Sequence, residues 1–72
     1  MPNHEYELIC RLRPARMDRA VTQAELAEIV GVSRRTINYV ERGDYFPSVK
    51  LALLLATALR TTVEDPFQVV AG

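Results

Sequence analysis

The apolar positions in the first half of the chain follow the period of two short helices joined by a tight turn. Thr22 followed by Glu25 has the spacing of a capping box, in which each side chain bonds a free backbone N–H of the first helical turn. Gly31 can adopt a left-handed conformation and end this helix, and Ser33 can cap a second helix that Gly43 ends. The helix between Thr22 and Gly31 then has an apolar stripe made of Ala24, Leu26, Ala27, Ile29 and Val30.

The helix between Ser33 and Gly43 separates its apolar and polar residues onto opposite sides. At about 100° per residue, Thr36, Ile37 and Val40 fall on one side. Glu41 lies at the border of that side. Arginine can bond guanine as a fork and asparagine can pair with adenine, so polar residues of these types can read the major groove of duplex DNA. The opposite arc has no acidic residue and consists of Arg34, Arg35, Asn38, Tyr39 and Arg42.

In residue types and spacing the chain resembles the phage-repressor and Cro-type helix-turn-helix proteins, the XRE family. The resemblance runs from about Leu12 to Phe67 and implies a compact, all-α, lambda-repressor-like domain of five short helices, with short terminal β-strands left open. It makes residues 1–72 one domain, with a core at 12–67 and a helix-turn-helix at 22–43. It implies a sequence-specific, DNA-binding transcriptional regulator, and a repressor rather than an activator because no separate effector segment is seen. The matching residues are Arg16, Thr22, Gln23, Glu25, Leu26, Ala27, Gly31, Val32, Ser33, Thr36, Ile37, Glu41, Arg42, Gly43, Pro47, Ser48, Val63, Glu64, Asp65 and Phe67.

The resemblance also implies roles for single side chains in binding DNA. Asp44 stands where the family often has a basic residue, and an acid there would repel phosphate. The positions that read bases, or lie on the same arc, are Arg34, Arg35, Asn38 and Tyr39. The positions that contact the DNA backbone are Gln23, Ser33 and Arg42, with the hydroxyl of Tyr45 as a further donor.

Arg16 and Glu41 match two family residues that bond each other. Glu41 lies at the border of the core face, where a partly buried carboxylate needs a partner. We therefore expect a structural salt bridge between them, without a catalytic role. The alternative interpretation is two ordinary surface charges.

The segment at residues 6–12 alternates apolar and polar side chains, which predicts a strand. The family usually begins its first helix here, so one kinked helix from about Glu7 is the alternative. Pro14 suits the first turn of a helix and not its interior, which favours a first helix near residues 13–19. Residues 67–70 are expected to form a short extended apolar tail.

The second half of the chain has two further helix starts. Ser48 predicts a fourth helix at about residues 49–59, and residues 62–65 have the capping pattern of a short fifth helix. Phe46 and Phe67 are expected to pack in the core. Four apolar residues have no assigned core position and are candidates for the interface of an expected homodimer: Leu53, Leu54, Val69 and Val70.

The charge of the chain is the feature least typical of a DNA-binding domain. Its 72 residues have a net charge of zero, although residues 10–42 hold seven arginines and only four acids. DNA-binding domains are usually basic, so we expect binding that is weak for one copy and depends on a dimer. The single cysteine, Cys10, cannot form an internal disulfide, and no signal peptide or long apolar run is seen. A cytoplasmic, nucleoid-associated location is expected.

No constellation of residues predicts catalysis. Cys10 and His4 are the only candidates for a nucleophile and a base, and both are expected in a mobile N-terminal leader, with His4 solvated. No cluster predicts a metal site, and no glycine-rich loop follows a strand. We expect no enzyme activity and no cofactor. Two other classes of function stay open: an antitoxin-like module that binds a toxin-like protein partner, and a dimerising structural domain with weak affinity for DNA.

Overall fold

A computed structural model describes residues 5–71, and the predictions for His4 and the residues before it lie outside this range. Four short helices are flanked by two strands. None of the described helices has the length and apolar character needed to cross a membrane. In chain order the elements are β1 (Tyr6–Cys10), α1 (Leu12–Asp18), α2 (Gln23–Val30), α3 (Arg34–Glu41), α4 (Val49–Ala58) and β2 (Phe67–Ala71).

The caps predicted from the sequence begin three of the four helices. Thr22 Oγ1 accepts from the Glu25 N–H at 3.0 Å, and Glu25 Oε1 accepts from the Thr22 N–H at 2.9 Å, so the capping box is confirmed. The Ser33 and Ser48 hydroxyls cap α3 and α4 by accepting from the N–H groups of Thr36 and Leu51, each at 3.1 Å. Gly31 ends α2 at φ 81°, a left-handed conformation that favours glycine. Local side-chain chemistry therefore defines the ends of the helix-turn-helix.

The hydrophobic core lies between the four helices and is closed by β2. Two predicted members of the α2 stripe, Ala24 and Ile29, are exposed instead. Both lie about 110° around the helix from the middle of the face defined by its buried residues. Phe46, in the loop before α4, also turns outward and is 66% exposed. The large side chains that fill the core are Leu12, Leu26, Ile37, Val40, Leu51, Leu55, Leu59 and Phe67.

The predicted fifth helix is not confirmed, because residues 62–66 form a turn. Within it the Asp65 N–H bonds Thr62 O at 3.1 Å, and the Phe67 N–H bonds Val63 O at 3.0 Å. Pro66 has no N–H to continue a helix and disfavours the helical conformation of Asp65. The capping pattern of this segment was a local signal that proline and the following strand override.

The two strands form an antiparallel sheet, with Tyr6 opposite Ala71 and Cys10 opposite Phe67. The strand predicted in residues 6–12 is thus confirmed over β1, and the alternative of one kinked helix from Glu7 is wrong. Pro14 lies in the first turn of α1, as its missing N–H allows.

Arg19 joins three parts of the fold and was not singled out by the sequence. Its guanidinium bonds Ala15 O at 2.7 Å, Leu59 O at 2.6 Å and Asp65 Oδ2 at 3.0 Å. It therefore ties the end of α1 to the end of α4 and to the turn before β2. Arg60 follows the end of α4 at φ 58°, a left-handed conformation that is costly for a residue with a Cβ.

Candidate nucleic-acid interface

Helix α3 is fixed by its buried face and exposes its basic face. Ile37 and Val40 are fully buried, so rotation of the helix is set by the core. On the other side Arg34, Arg35 and Tyr39 are exposed and Asn38 is half-buried. The structure brings the predicted outer arc together around one open cleft of about 310 Å³, lined by Arg34, Arg35, Asn38, Tyr39 and Arg42.

Arg16 and Glu41 form a two-pronged ion pair between α1 and the end of α3. Arg16 Nε lies 2.6 Å from Glu41 Oε2, and Arg16 Nη2 lies 3.2 Å from Glu41 Oε1. The remaining arm of the guanidinium donates to Val21 O at 2.9 Å. The side chains are 11% and 3% exposed, so each ion depends on the other for compensation of its lost hydration.

Gln23 extends this ion pair into a polar network that reaches the DNA-facing arc. Its Nε2 group donates to Glu41 Oε1 at 2.9 Å and to Asn38 Oδ1 at 3.3 Å. Both donors of the amide are therefore engaged inside the protein, which leaves only its carbonyl oxygen unengaged. No sequence pattern indicated this contact, because Gln23 lies on α2 and its two partners lie on α3. If Gln23 contacts the DNA backbone, its main-chain N–H is more available for that contact than its side-chain amide.

The loop after α3 contains an exposed ion pair. Arg42 Nε lies 3.1 Å from Asp44 Oδ2, and both side chains are about half exposed. Asp44 therefore competes with phosphate for Arg42. Because exposed pairs contribute little, a phosphate at this point can replace the carboxylate. Tyr45 is also exposed, so its hydroxyl is free to contact a backbone.

A second basic cleft lies at the start of α2 and includes Arg13, which was not among the predicted site residues. It measures about 650 Å³, and its lining includes Arg13, Arg34 and the first turn of α2. The main-chain N–H groups of Gln23 and Ala24 donate to no residue within 5–71 and lie at the positive end of the helix. No local pattern marks Arg13, since it lies on α1, outside the helix-turn-helix.

The charge of Glu25 at this helix start is stabilised by its own cap. Bonds from the backbone N–H and the hydroxyl of Thr22 lower the pKa of the Glu25 carboxyl below its usual value. The Glu25 carboxylate is thus already bonded by Thr22. The main-chain N–H groups of Gln23 and Ala24 remain for another acceptor.

Cys10 does not lie in a mobile leader, as the sequence suggested, but in β1. Its thiol is half-buried and donates to Val40 O at 3.1 Å. Burial raises the pKa of the Cys10 thiol, the Glu41 carboxylate raises it further, and a bond from the Leu12 N–H opposes the shift. The thiol is therefore protonated at neutral pH. Among residues 5–71, no three His, Cys, Asp or Glu side chains are grouped to hold a metal.

The four dimer candidates are all exposed but lie on different elements. Leu53 and Leu54 are on α4, and Val69 and Val70 are on β2. Because neighbouring residues of a strand point to opposite faces, Val69 and Val70 cannot serve the same face of the sheet.

Comparison with known proteins gives consistent matches. A family model described as helix-turn-helix matches residues 12–65. A protein of Methanothermobacter thermautotrophicus named as an HTH-type transcriptional regulator is 49% identical over 57 residues, which cover 78% of this chain and 83% of that protein. The crystal structure of the clp gene regulator ClgR from Corynebacterium glutamicum matches with a TM-score of 0.74 and 38% identity over 76% of this chain, which spans only 58% of ClgR. The P22 c2 repressor in complex with a synthetic operator matches with a TM-score of 0.71 and 33% identity, over 75% of this chain and 82% of the repressor.

Proposed function

The chain belongs to the helix-turn-helix family of XRE type, it is a DNA-binding transcriptional regulator, and we propose that it is a repressor that inserts α3 into the major groove. The observation that carries this proposal is the acid-free outer face of α3, held outward by the buried Ile37 and Val40. A repressor acts by occupying a site, which requires no more than this domain. A cytoplasmic, nucleoid-associated location is part of the proposal.

Base reading is assigned to four side chains of α3. Arg34 and Arg35 can each form a fork to the O6 and N7 atoms of guanine, and Tyr39 adds a hydroxyl and a ring. Asn38 has its oxygen engaged by Gln23, which leaves its amino group as the donor that meets a base. We therefore expect Asn38 to favour an acceptor at the base edge over the two-bond pairing with adenine, which needs both ends of the amide.

Phosphate contacts are assigned to the rim of this face. The cleft between Arg13 and Arg34 holds the unengaged N–H groups at the start of α2, an arrangement suited to one phosphate. At the end of α3, Arg42 and Tyr45 are exposed, and Ser33 lies at the start of the helix. Contacts at both ends of α3 would fix its register in the groove without reading sequence.

The first test is selection of binding sites from random duplex DNA, followed by titration with labelled duplexes. Arg35→Ala should weaken binding to the selected site by about 1–3 kcal/mol and binding to random DNA by less, because a lost guanine fork affects only specific binding. Arg13→Ala should weaken both alike and lower the slope of log affinity against log salt by about one. Arg11→Ala, which removes an arginine from the sheet side, is the matched control and should change neither.

Equal losses for Arg35→Ala on selected and random DNA would reassign Arg35 to phosphate. Failure to select any site, together with an affinity that does not depend on salt, would overturn the function itself. In that case a protein partner becomes the better explanation, since Leu53 is 52% exposed on α4 and Phe46 lies exposed beside the start of that helix. A toxin-like partner would then be expected to bind there.

A further inference from the structure

We propose that the core-side face of the β1–β2 sheet is the surface on which a second copy of this chain docks. The proposal builds on the function above by naming the partner surface, and it rests on where the sheet stops being covered by helices. Opposed residues of an antiparallel pair share a face, and alternate residues of each strand share it too. The register therefore places six residues on one face: Tyr6, Leu8, Cys10, Phe67, Val69 and Ala71.

This face is covered at one end only. Phe67 is buried and Cys10 packs against the core. At the other end Tyr6, Leu8 and Val69 are 52%, 40% and 66% exposed. The two strands contact each other far more than they contact any helix. The molecule measures 36 × 20 × 19 Å, as expected if the sheet extends beyond the helices. A single apolar face thus begins in the core and continues into solvent.

The surface beside this face is shaped as an open groove. It measures about 680 Å³ and runs along β2 beside the turn before it. Its apolar lining consists of Leu8, Val63, Phe67, Val69 and Val70, of which Val63 and Phe67 also pack on the core. The groove is therefore an extension of the core, and apolar side chains are the chemistry it would take up.

A second copy fits this face better than nucleic acid does. The face itself has no charged side chain. The charges around the sheet are mixed, with Glu7 on the opposite face, Arg11 bonded there to Gln68, and Glu64 in the groove. An uncharged face without a basic cluster offers phosphate little attraction. A two-fold interface, by contrast, brings identical patches together, so an uncharged centre complements itself.

The size of the patch suits a small, reversible dimer. The exposed parts of Tyr6, Leu8 and Val69 amount to on the order of 300 Å² per copy, the size of the largest apolar patch on a typical monomer. Two such patches bury only about 600 Å², less than the roughly 1,000 Å² of a stable interface, so we expect a weak dimer. The dimer should therefore dissociate in the micromolar to millimolar range and be favoured by an operator with two half-sites.

The interface would also leave the DNA-facing residues free. Arg34, Arg35 and Tyr39 lie on α3, and none of them lines the groove along β2. Two copies joined through their sheets would each retain an accessible α3, which a two-fold operator requires.

The test compares the same change at two exposed valines. Val69→Glu places a carboxylate at the centre of the proposed interface, whereas Val49→Glu places it at the start of α4, outside the sheet and the groove. In sedimentation of the full chain without DNA, over micromolar to millimolar concentrations, Val69→Glu should raise the dimer dissociation constant at least about tenfold and Val49→Glu less than about threefold. Leu8→Lys, opposite Val69, should act like Val69→Glu. Circular dichroism establishes that each variant is folded, which is expected for exposed sites.

Several results would overturn the proposal. One is a wild-type chain that stays monomeric both free and on a two-half-site duplex. The others are equal effects of Val69→Glu and Val49→Glu, or a dimer that is disrupted by Leu53→Glu alone. Binding to a duplex with one half-site separates this surface from the proposed function. Val69→Glu should leave half-site binding within about threefold of wild type, whereas an error in the function would abolish it in wild type and variants alike.

Discussion

The buried ion pair of Arg16 and Glu41 makes the strongest prediction about stability. Arg16→Ala leaves a carboxylate that is 3% exposed with Gln23 as its remaining partner. Breaking a buried pair by removing one ion costs about 3–5 kcal/mol. The whole domain is expected to be stable by about 4–11 kcal/mol, from its length. Arg16→Ala should therefore remove about a quarter or more of the folding free energy and lower the melting temperature by at least ~12 °C.

The two single variants should differ in a way that the geometry specifies. Glu41→Ala leaves Arg16 with its bond to Val21 O and with a side chain that is 11% exposed, so the guanidinium can reach water more easily than the carboxylate can. We therefore expect Glu41→Ala to cost less than Arg16→Ala. Combining Arg16→Met with Glu41→Leu should recover most of the loss, because no ion is left buried.

Thermal and urea unfolding, followed by circular dichroism, measure these differences. Asp44→Ala is the matched control, since it breaks the exposed pair with Arg42 and should cost less than about 0.5 kcal/mol. If Arg16→Ala and Asp44→Ala melt at the same temperature, the ion pair has no structural role and the reasoning from burial is refuted. A double variant less stable than both single variants would contradict it as well.

Three further predictions concern pH and backbone strain. In the folded state the pKa of the Cys10 thiol is raised above its usual 9.0. The contribution of the protonated thiol to stability is therefore present below pH 9.0 and is lost as the pH rises through the raised pKa. In urea unfolding, Cys10→Ala should reduce this alkaline loss. The pKa of the Glu25 carboxyl is lowered from its usual 4.5. The contribution of the ionised carboxylate to stability is therefore present above pH 4.5 and is lost as the pH falls through the lowered pKa. The melting temperature of Glu25→Gln should depend less on pH in the acid range than that of the wild type. Arg60→Gly should raise stability by about 0.5–1 kcal/mol because it relieves the left-handed strain, whereas Arg60→Ala, with the same backbone demand, should leave the melting temperature nearly unchanged.

Features set by neighbouring residues were predictable from the sequence. The capping box of Thr22 and Glu25 and the left-handed Gly31 depend on contacts within one helical turn, so residue types at fixed spacing are enough to identify them. The outer arc of α3 was predictable for the same reason, because the helical period alone decides which residues share a side. The strand β1 was predictable because Pro14 restricted where the first helix could begin.

Features set by distant residues were not predictable. Arg19 bonds atoms of residues 40 and 46 positions further along the chain, and no pattern in the sequence marks that meeting. Gln23 was assigned to the DNA backbone, but folding brings it to Glu41, whose carboxylate competes for the same amide donors. The prediction of a fifth helix failed for a related reason. The local capping pattern was overridden by Pro66 and by the pairing of β2 with β1.

The zero net charge acquires a physical role once the fold is known. The arginines of α3 and Arg13 lie around the helix-turn-helix, whereas Glu5, Glu7 and Glu64 lie on the sheet or the turn before it. A chain that is neutral overall but basic on one face is attracted to DNA by that face and is not held by the others. Non-specific affinity, which depends on the number of phosphates neutralised, is thereby kept low. In the proposed dimer, specific binding would come from base contacts made by two copies at once. The basic face of one copy offers few contacts, so tight binding would depend on the apolar sheet face that joins it to a second copy.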